Sequence, residues 1–237
     1  MSEKLKILSL SEQVYQYLRE QMNRGAFLPG STINIGKIAD QLGISKTPLR
    51  DALILLELEG FVTILPRRGV RVNGLTLKDV KNAYELVGPL ESSIVQNCFE
   101  MITPAHIDKM EALNEKMLGE IEENDFECFF QSNLEFHNVY VDLSDNELIK
   151  KTILPVKQHL YDFPTKIYIR EWERRNCREH VDFINCLKNG DPKGAASVLV
   201  DVHWSYAVQE DYIMKFHAMR TKEIVDQKAS RSQQTPD

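Results

Sequence analysis

Apolar residues recur at helical spacing along most of the chain, but the first seventy-five residues divide this pattern into short segments. A first helix begins after a capping-box pattern at Ser9 to Glu12 and ends before Gly25. Its apolar positions share one face: Val14, Tyr17, Leu18 and Met22. This spacing predicts an amphipathic helix that packs on the rest of the segment.

Two short helices are predicted on either side of Gly43, which suits a left-handed turn. The first spans residues 35–42, and the second runs from Lys46 to about Glu59, with Ser45 as its N-cap. Pro48 lies in the first turn, where a missing N–H has little effect. Apolar residues are spaced to bury a shared face: Ala39, Leu42, Ile44, Leu49 and Leu53. The pattern predicts a helix-turn-helix.

Two β-branched runs, at residues 61–65 and 70–72, lie on either side of the segment Pro66-Arg-Arg-Gly69. They predict a two-stranded hairpin with a basic tip, which would form the wing of a winged helix-turn-helix.

From residue 76 the apolar spacing is helical to about Met219. We predict helices at 77–100, 104–123, 126–143, 146–162, 172–189 and 192–219. The fold class is therefore mainly α: a winged helix-turn-helix domain at 1–75 and an all-α antiparallel bundle at 76–220. Residues 221–237 are polar and aperiodic, and we predict a disordered tail there.

The net charge of −6 conceals an uneven distribution along the chain. Residues 1–75 hold ten Lys and Arg against seven acids, and the remainder holds 19 against 28. DNA affinity depends on local neutralisation of phosphates, so the basic first segment permits a DNA-binding domain. No apolar run approaches the roughly 18 residues that a membrane span needs, and no signal peptide is visible. We expect a soluble cytoplasmic protein with no membrane partner.

The exposed polar residues of the predicted winged domain indicate how it would contact double-stranded DNA. Thr47 and the first-turn N–H groups suit a phosphate, and Arg50 can donate two hydrogen bonds to guanine. Lys46 can contact phosphate or base, and the wing would reach a minor groove or the backbone. The predicted DNA-binding residues are Lys37, Ser45, Lys46, Thr47, Arg50, Arg67, Arg68 and Gly69.

Three histidines on three predicted helices form the second candidate site. His137 lies four residues after Asn133, so both face the same way on one helix, and His180 and His203 lie on later helices. Three imidazoles and one oxygen donor in a bundle core could hold a divalent metal, and imidazole suits Zn²⁺ and Ni²⁺. A histidine on an apolar face is usually a packed, hydrogen-bonded core residue, so that alternative stays open. Trp204 should point about 100° away from His203 on a regular helix.

The segments 28–31, 38–53, 56–62 and 66–70 read LPGS, IADQLGISKTPLRDAL, LELEGFV and PRRGV. Together they resemble the GntR family of bacterial transcription factors over residues 10–73. The resemblance implies a DNA-binding regulator. Two positions depart from the family pattern, since Gly36 and Lys46 stand where many members have arginine.

The helical segment 76–215 resembles the FCD ligand-binding domain of the FadR subfamily, through YELVGPLE at 84–91, NLEFH at 133–137, Glu179-His180 and His203. The resemblance implies a divalent metal, a small carboxylate effector and four ligands: Asn133, His137, His180 and His203. Asn133 replaces the usual aspartate. Val87 replaces an arginine that would pair with the effector carboxylate.

We therefore expect a homodimeric transcriptional regulator, acting as a repressor, whose operator binding responds to a metabolite. One alternative is a metal-responsive regulator in which the ion itself is the effector. A metalloenzyme is disfavoured, because no partnered general base accompanies the histidines and an enzyme does not need the winged domain.

Overall fold

The computed structural model describes residues 8–161 and 168–233. These residues form two compact units, the first comprising residues 8–75 with 222–233, and the second residues 76–161 with 168–221. The parts of the sequence predictions that concern residues 1–7, 162–167 and 234–237 lie outside the described residues.

The first unit has the predicted winged helix-turn-helix order. Its elements are α1 (Leu10–Asn23), β1 (Thr32–Ile33), α2 (Ile35–Leu42), α3 (Lys46–Leu58), β2 (Val62–Leu65) and β3 (Gly69–Val72). The sheet is antiparallel, with strand order β1-β3-β2. The sequence predicted the β2–β3 hairpin but not β1, since a strand of two residues is too short to show a period of two.

Local signals position the helices of this unit. A capping box joins Ser9 and Glu12 at the start of α1, and Gly43 ends α2 with a φ of 65°. The turn brings α2 against α3, and one buried cluster then joins the helices to the sheet. Its fully buried members include Leu18, Leu49, Leu53, Leu56 and Val70. Burial of each such side chain contributes about 1.5–3 kcal/mol.

The second unit is a helical bundle. Its helices are α4 (Leu77–Cys98), α5 (Pro104–Glu123), α6 (Phe126–Val141), α7 (Glu147–Tyr161), α8 (Arg170–Lys188), α9 (Pro192–Ser197) and α10 (Tyr206–Gln233), of which the last continues into the first unit. The side chains of Thr76, Asp125 and Asp191 cap α4, α6 and α9. Helix α5 packs on α6 and α8, while α4 packs on α7 and α9. No helix among the described residues is long and apolar enough to cross a membrane.

The single helix predicted at 192–219 is wrong, because the chain leaves regular α geometry after Ser197. Residues Val198–His203 form a π-helical segment, in which Trp204 N–H donates to the Leu199 carbonyl at 2.8 Å. Helix α10 then begins afresh at Tyr206. Segments of π-helix are rare in proteins, and those that occur often lie at functional sites.

The predicted disordered tail is wrong for residues 221–233, which continue α10. These residues contain no Gly or Pro. They extend a helix that is already formed, so they avoid the unfavourable nucleation step. Gln227 donates to Glu223 one turn earlier at 3.2 Å, which adds side-chain support.

Candidate functional sites: recognition helix and buried histidines

The N-terminus of α3 presents the predicted DNA-binding side chains to solvent. Lys37 on α2 and the residues Ser45, Lys46, Thr47 and Arg50 are all exposed. Ser45 occupies the N-cap position, yet its side chain makes no capping hydrogen bond. Pro48 has no N–H, so Lys46 and Thr47 supply the free backbone donors of the first turn. This arrangement suits an anionic partner such as a phosphate.

The tip of the wing exposes two cations. Arg67 and Arg68 are exposed, and Arg67 has a left-handed φ of 62°. Gly69 follows with a φ of 92°, and a Cβ there would lie 3.2 Å from Thr32 Cγ2. The fold itself therefore favours glycine at position 69, because the backbone conformation disfavours L side chains and a Cβ would press against Thr32 of β1.

Three predicted ligands converge in the bundle. His137 comes from α6, His180 from α8 and His203 from the end of the π-helical segment, and all three are buried. One ring nitrogen from each lies within 4.8 Å of the other two. The fourth predicted ligand, Asn133, is buried on α6, one turn before His137.

A carboxylate fixes the orientation of His137. Its Nδ1 lies 3.0 Å from Oε2 of Glu91 on α4, and that oxygen also accepts from Tyr140 at 2.6 Å. The other oxygen of Glu91 accepts from the Lys157 ammonium at 2.7 Å. Burial alone would raise the pKa of Glu91, but Lys157 and His137 outweigh it and hold the pKa well below its usual range. Because the ionised carboxylate only accepts, His137 Nδ1 is the donor.

The other two rings are held in the same way. His180 Nδ1 lies 3.1 Å from Asn114 Oδ1, and the amide of Asn114 donates to the Cys177 carbonyl at 3.1 Å. This donation fixes the amide so that its oxygen faces the ring. His203 Nδ1 lies 3.0 Å from Oε2 of Glu179. All three histidines therefore donate from Nδ1, and in a neutral ring this leaves Nε2 as a lone-pair donor.

The lone pairs point into a site that contains few partners for them. The buried Nε2 atoms of His137 and His180 have no hydrogen-bond partner among the described residues. Burial lowers the pKa of His137 to about 3, with a further contribution from Lys157. Burial also lowers the pKa of His180 well below its usual value, with His203 adding to the shift. Both rings are thus neutral at pH 7 and able to bind a Lewis acid.

Comparison with known protein families agrees with this two-part architecture. Residues 82–202 match the family described as "FCD domain", and residues 10–72 match "Bacterial regulatory proteins, gntR family". The chain belongs to the GntR family and carries an FCD domain. The family consists of transcription regulators and not of enzymes.

Curated proteins that are similar to parts of this chain are regulators by name. The transcriptional regulator YdhC of Bacillus subtilis is 32% identical over 60% of this chain and 63% of its own length, so the match spans under two thirds of YdhC. The repressor RspR of Escherichia coli is 23% identical over 77% of this chain and 80% of its own. This protein is accordingly a DNA-binding transcriptional regulator.

Solved structures share the fold. Escherichia coli McbR superposes with a TM-score of 0.69 at 22% identity, covering 90% of this chain and 100% of McbR. A GntR regulator from Rhodococcus gives a TM-score of 0.67 at 18% identity, covering 89% of this chain and 99% of the other.

The structure brings together the three predicted histidines of the second unit and adds residues that the sequence analysis missed. Glu91, Asn114 and Glu179 hold the rings, and they lie 46, 66 and 24 positions from their histidines. Trp204 also belongs to the site. Its ring centroid is 5.3 Å from that of His203, and its Nε1 donates to Glu91 at 3.0 Å. The expectation that it points away assumed a regular helix, which the π segment replaces.

Proposed function

We propose that the FCD domain holds a divalent metal on His137, His180 and His203, and that this metal binds a small carboxylate effector. Effector binding then controls the affinity of a homodimer for operator DNA, in the sense of a repressor that the metabolite releases. The observation that carries the proposal is the convergence of three buried imidazoles. Each of them donates its Nδ1–H to an oxygen of Glu91, Asn114 or Glu179.

The donor set fits a metal ion. Two buried Nε2 atoms lack a hydrogen-bond partner among the described residues, and a coordinate bond would satisfy them. Imidazole ligands suit Zn²⁺ and Ni²⁺, and acceptors on the remote ring nitrogens are typical of such sites. Asn133 lies four residues before His137, so we propose its amide oxygen as the fourth ligand. When bound, the ion would supply positive charge and open positions for a carboxylate.

In this proposal the metal ion balances the negative charge of the effector. Val87 is fully buried on α4 and offers no cation. Lys157 is also buried, and its ammonium already pairs with Glu91 at 2.7 Å. The metal is therefore the charge that would attract a carboxylate to this pocket.

The winged domains supply the DNA contacts in this proposal. Lys46, Thr47 and Arg50 would enter the major groove, while Arg67 and Arg68 would contact the flanking backbone or minor groove. A dimer would bind a two-fold pseudo-palindrome, because operator symmetry mirrors protein symmetry. A regulator of this kind acts in the cytoplasm, where the chromosome lies. RspR, which is named as a repressor, supports this sign of regulation.

Native mass spectrometry with elemental analysis tests the proposal. We expect a dimer mass with about one zinc or nickel per protomer and loss of the metal in the H137A/H180A variant. Gel shifts on the upstream region of its own gene should then show specific binding that small carboxylates weaken. A metal-free wild-type protein would contradict the metal site, and failure to bind any fragment specifically would contradict operator control.

A metal-responsive regulator is the second candidate function. It is favoured by the fact that side chains of the protein itself orient all three rings. In that case DNA affinity would follow zinc titration and chelation without a carboxylate. In the main proposal, chelation would abolish the response to the carboxylate.

A further inference from the structure

Gln209 is a fully buried polar residue in the first turn of α10. Both ends of its amide are engaged. The Nε2 donates to Oε1 of Glu179 at 2.9 Å and to the Val202 carbonyl at 3.1 Å. The Oε1 accepts from Nε1 of Trp172 at 2.9 Å.

These contacts reach His203 by two routes. Glu179 accepts His203 Nδ1 on its other oxygen at 3.0 Å, so Gln209 holds the carboxylate that holds the ring. Val202 directly precedes His203 in the π-helical segment, so Gln209 also holds the backbone that carries the ring. One side chain therefore restrains both the position and the rotation of His203.

The direction of the Gln209 amide is fixed by its neighbours. The indole of Trp172 can only donate, so the amide oxygen faces Trp172 and the NH₂ group faces Glu179. Arg175 donates to the same oxygen of Glu179 at 2.9 Å, so this oxygen accepts two hydrogen bonds. A flipped amide would place NH₂ against the indole N–H and oxygen against the carboxylate, and would lose all three hydrogen bonds.

We propose that Gln209 is a positioning residue of the histidine site, which orients His203 for metal binding and fastens that ligand to α10. The inference rests on the proposed metal site and goes beyond it. Glu91 and Asn114 orient the other two rings from α4 and α5. The partner of His203 is bonded to the helix that follows it, so a shift of His203 on metal or effector binding is passed to the start of α10.

The test is the zinc affinity of the full-length Gln209→Met variant, measured by chelator competition. Methionine keeps the length of the side chain and removes its hydrogen bonds. We expect zinc to bind 10- to 100-fold more weakly, the range typical for loss of a residue that orients a ligand. The visible spectrum of the Co²⁺-loaded protein should change with it, since this spectrum reports ligand geometry. Gln96→Met, at an exposed position on α4, should change neither.

A double-mutant cycle separates positioning from general loss of stability. If Gln209 acts through Glu179, Q209M should lower zinc affinity much less in an E179Q background than in the wild type. Equal losses in the two backgrounds would overturn the inference, as would wild-type affinity in Q209M. If Q209M does not fold, Trp172→Phe removes the indole N–H that fixes the amide while keeping an aromatic ring beside Tyr212, and we expect it to weaken zinc binding at least threefold. Failure of the wild type to bind zinc would instead contradict the metal site itself.

Discussion

At the scale of single residues, Glu91 organises one side of the histidine site. Its carboxylate is fully buried and accepts hydrogen bonds from Lys157, Tyr140 and Trp204, besides orienting His137. A buried ion pair is not by itself a source of stability, since desolvation offsets the attraction. Removal of one partner does destabilise the protein, because the other charge then stays buried without a counter-charge.

We predict that Glu91→Gln lowers the free energy of unfolding of the metal-free protein by about 3 kcal/mol, because Lys157 loses its counter-charge. Urea denaturation in EDTA would measure the loss. The double variant E91Q/K157M should recover most of it, since no buried charge is left unpaired. A single variant as stable as the wild type would contradict this account of the pair.

Glu173 is a second buried carboxyl, with a pH-dependent effect on stability. Burial raises its pKa to about 7, and the hydrogen bond from Asn176 only partly opposes this. Because the folded pKa lies above the unfolded value, stability is full below about pH 4.5 and declines as the pH rises through about 7.

We predict that Glu173→Gln is more stable than the wild type by about 3 kcal/mol at pH 8, and by less than about 1 kcal/mol at pH 5. Urea denaturation at the two pH values would show the difference. Glu171→Gln, an exposed change on the same helix, serves as the control and should show no such pH dependence. A constant difference between E173Q and the wild type across this range would exclude titration as the cause.

At the scale of elements, the π-helical segment brings His203 to the other two histidines. Helix α4 approaches it closely at Gly88, where a Cβ would lie 2.9 Å from Trp204 Cβ and 3.5 Å from Val200 Cγ2. The Cβ of Trp204 is attached to the backbone, so it cannot rotate away. Glycine at position 88 is thus a condition for the packing of this segment.

We predict that Gly88→Ala destabilises the protein by about 1–3 kcal/mol and weakens metal binding, because the π segment must move outward. Thermal and urea unfolding together with zinc titration would test both effects. Gly119→Ala is a matched control on α5, where a Cβ meets nothing within 4 Å. That control should be more stable than the wild type by about 0.5–1 kcal/mol.

The elements differ in how far the sequence predicts them. Caps and turns are local signals, so the start of α1 at Ser9 and the turn at Gly43 were predicted correctly. The π segment after Ser197 packs against Gly88, more than a hundred positions away, and no local sequence pattern reports that contact. The histidines themselves were predicted. Their partners Glu91 and Asn114 were not, because no local pattern reports a contact between residues far apart in the sequence.

At the scale of the whole molecule, the winged domain is basic and the rest of the chain is acidic. The net charge is −6, yet residues 1–75 are basic. Lys46 and Arg50 form no ion pair with another described residue, and both are exposed at the start of α3. A regulator with this distribution is attracted to DNA through its winged domain while its bundle is repelled.

We predict that the double variant Arg67→Ala/Arg68→Ala binds DNA more weakly and with a shallower dependence on salt. Each lost phosphate contact should reduce the slope of log K against log salt by about 0.9. Fluorescence anisotropy between 50 and 300 mM salt would measure it. The variant R178A/K193A removes two exposed charges from the second unit and should leave the slope unchanged. An unchanged slope in the wing variant would show that the wing does not contact phosphates.

Because the buried rings are neutral, the pH of the cell affects them less than it affects exposed histidines. At an exposed histidine site, protons compete with any other ligand once the pH falls below about 6.5. His137 titrates only near pH 3, and His180 is shifted in the same direction. Mild acidification of the cell would therefore not protonate these two rings and displace what they bind. In the proposed function, these two rings would stay available to a ligand over a pH range in which an exposed histidine changes its charge.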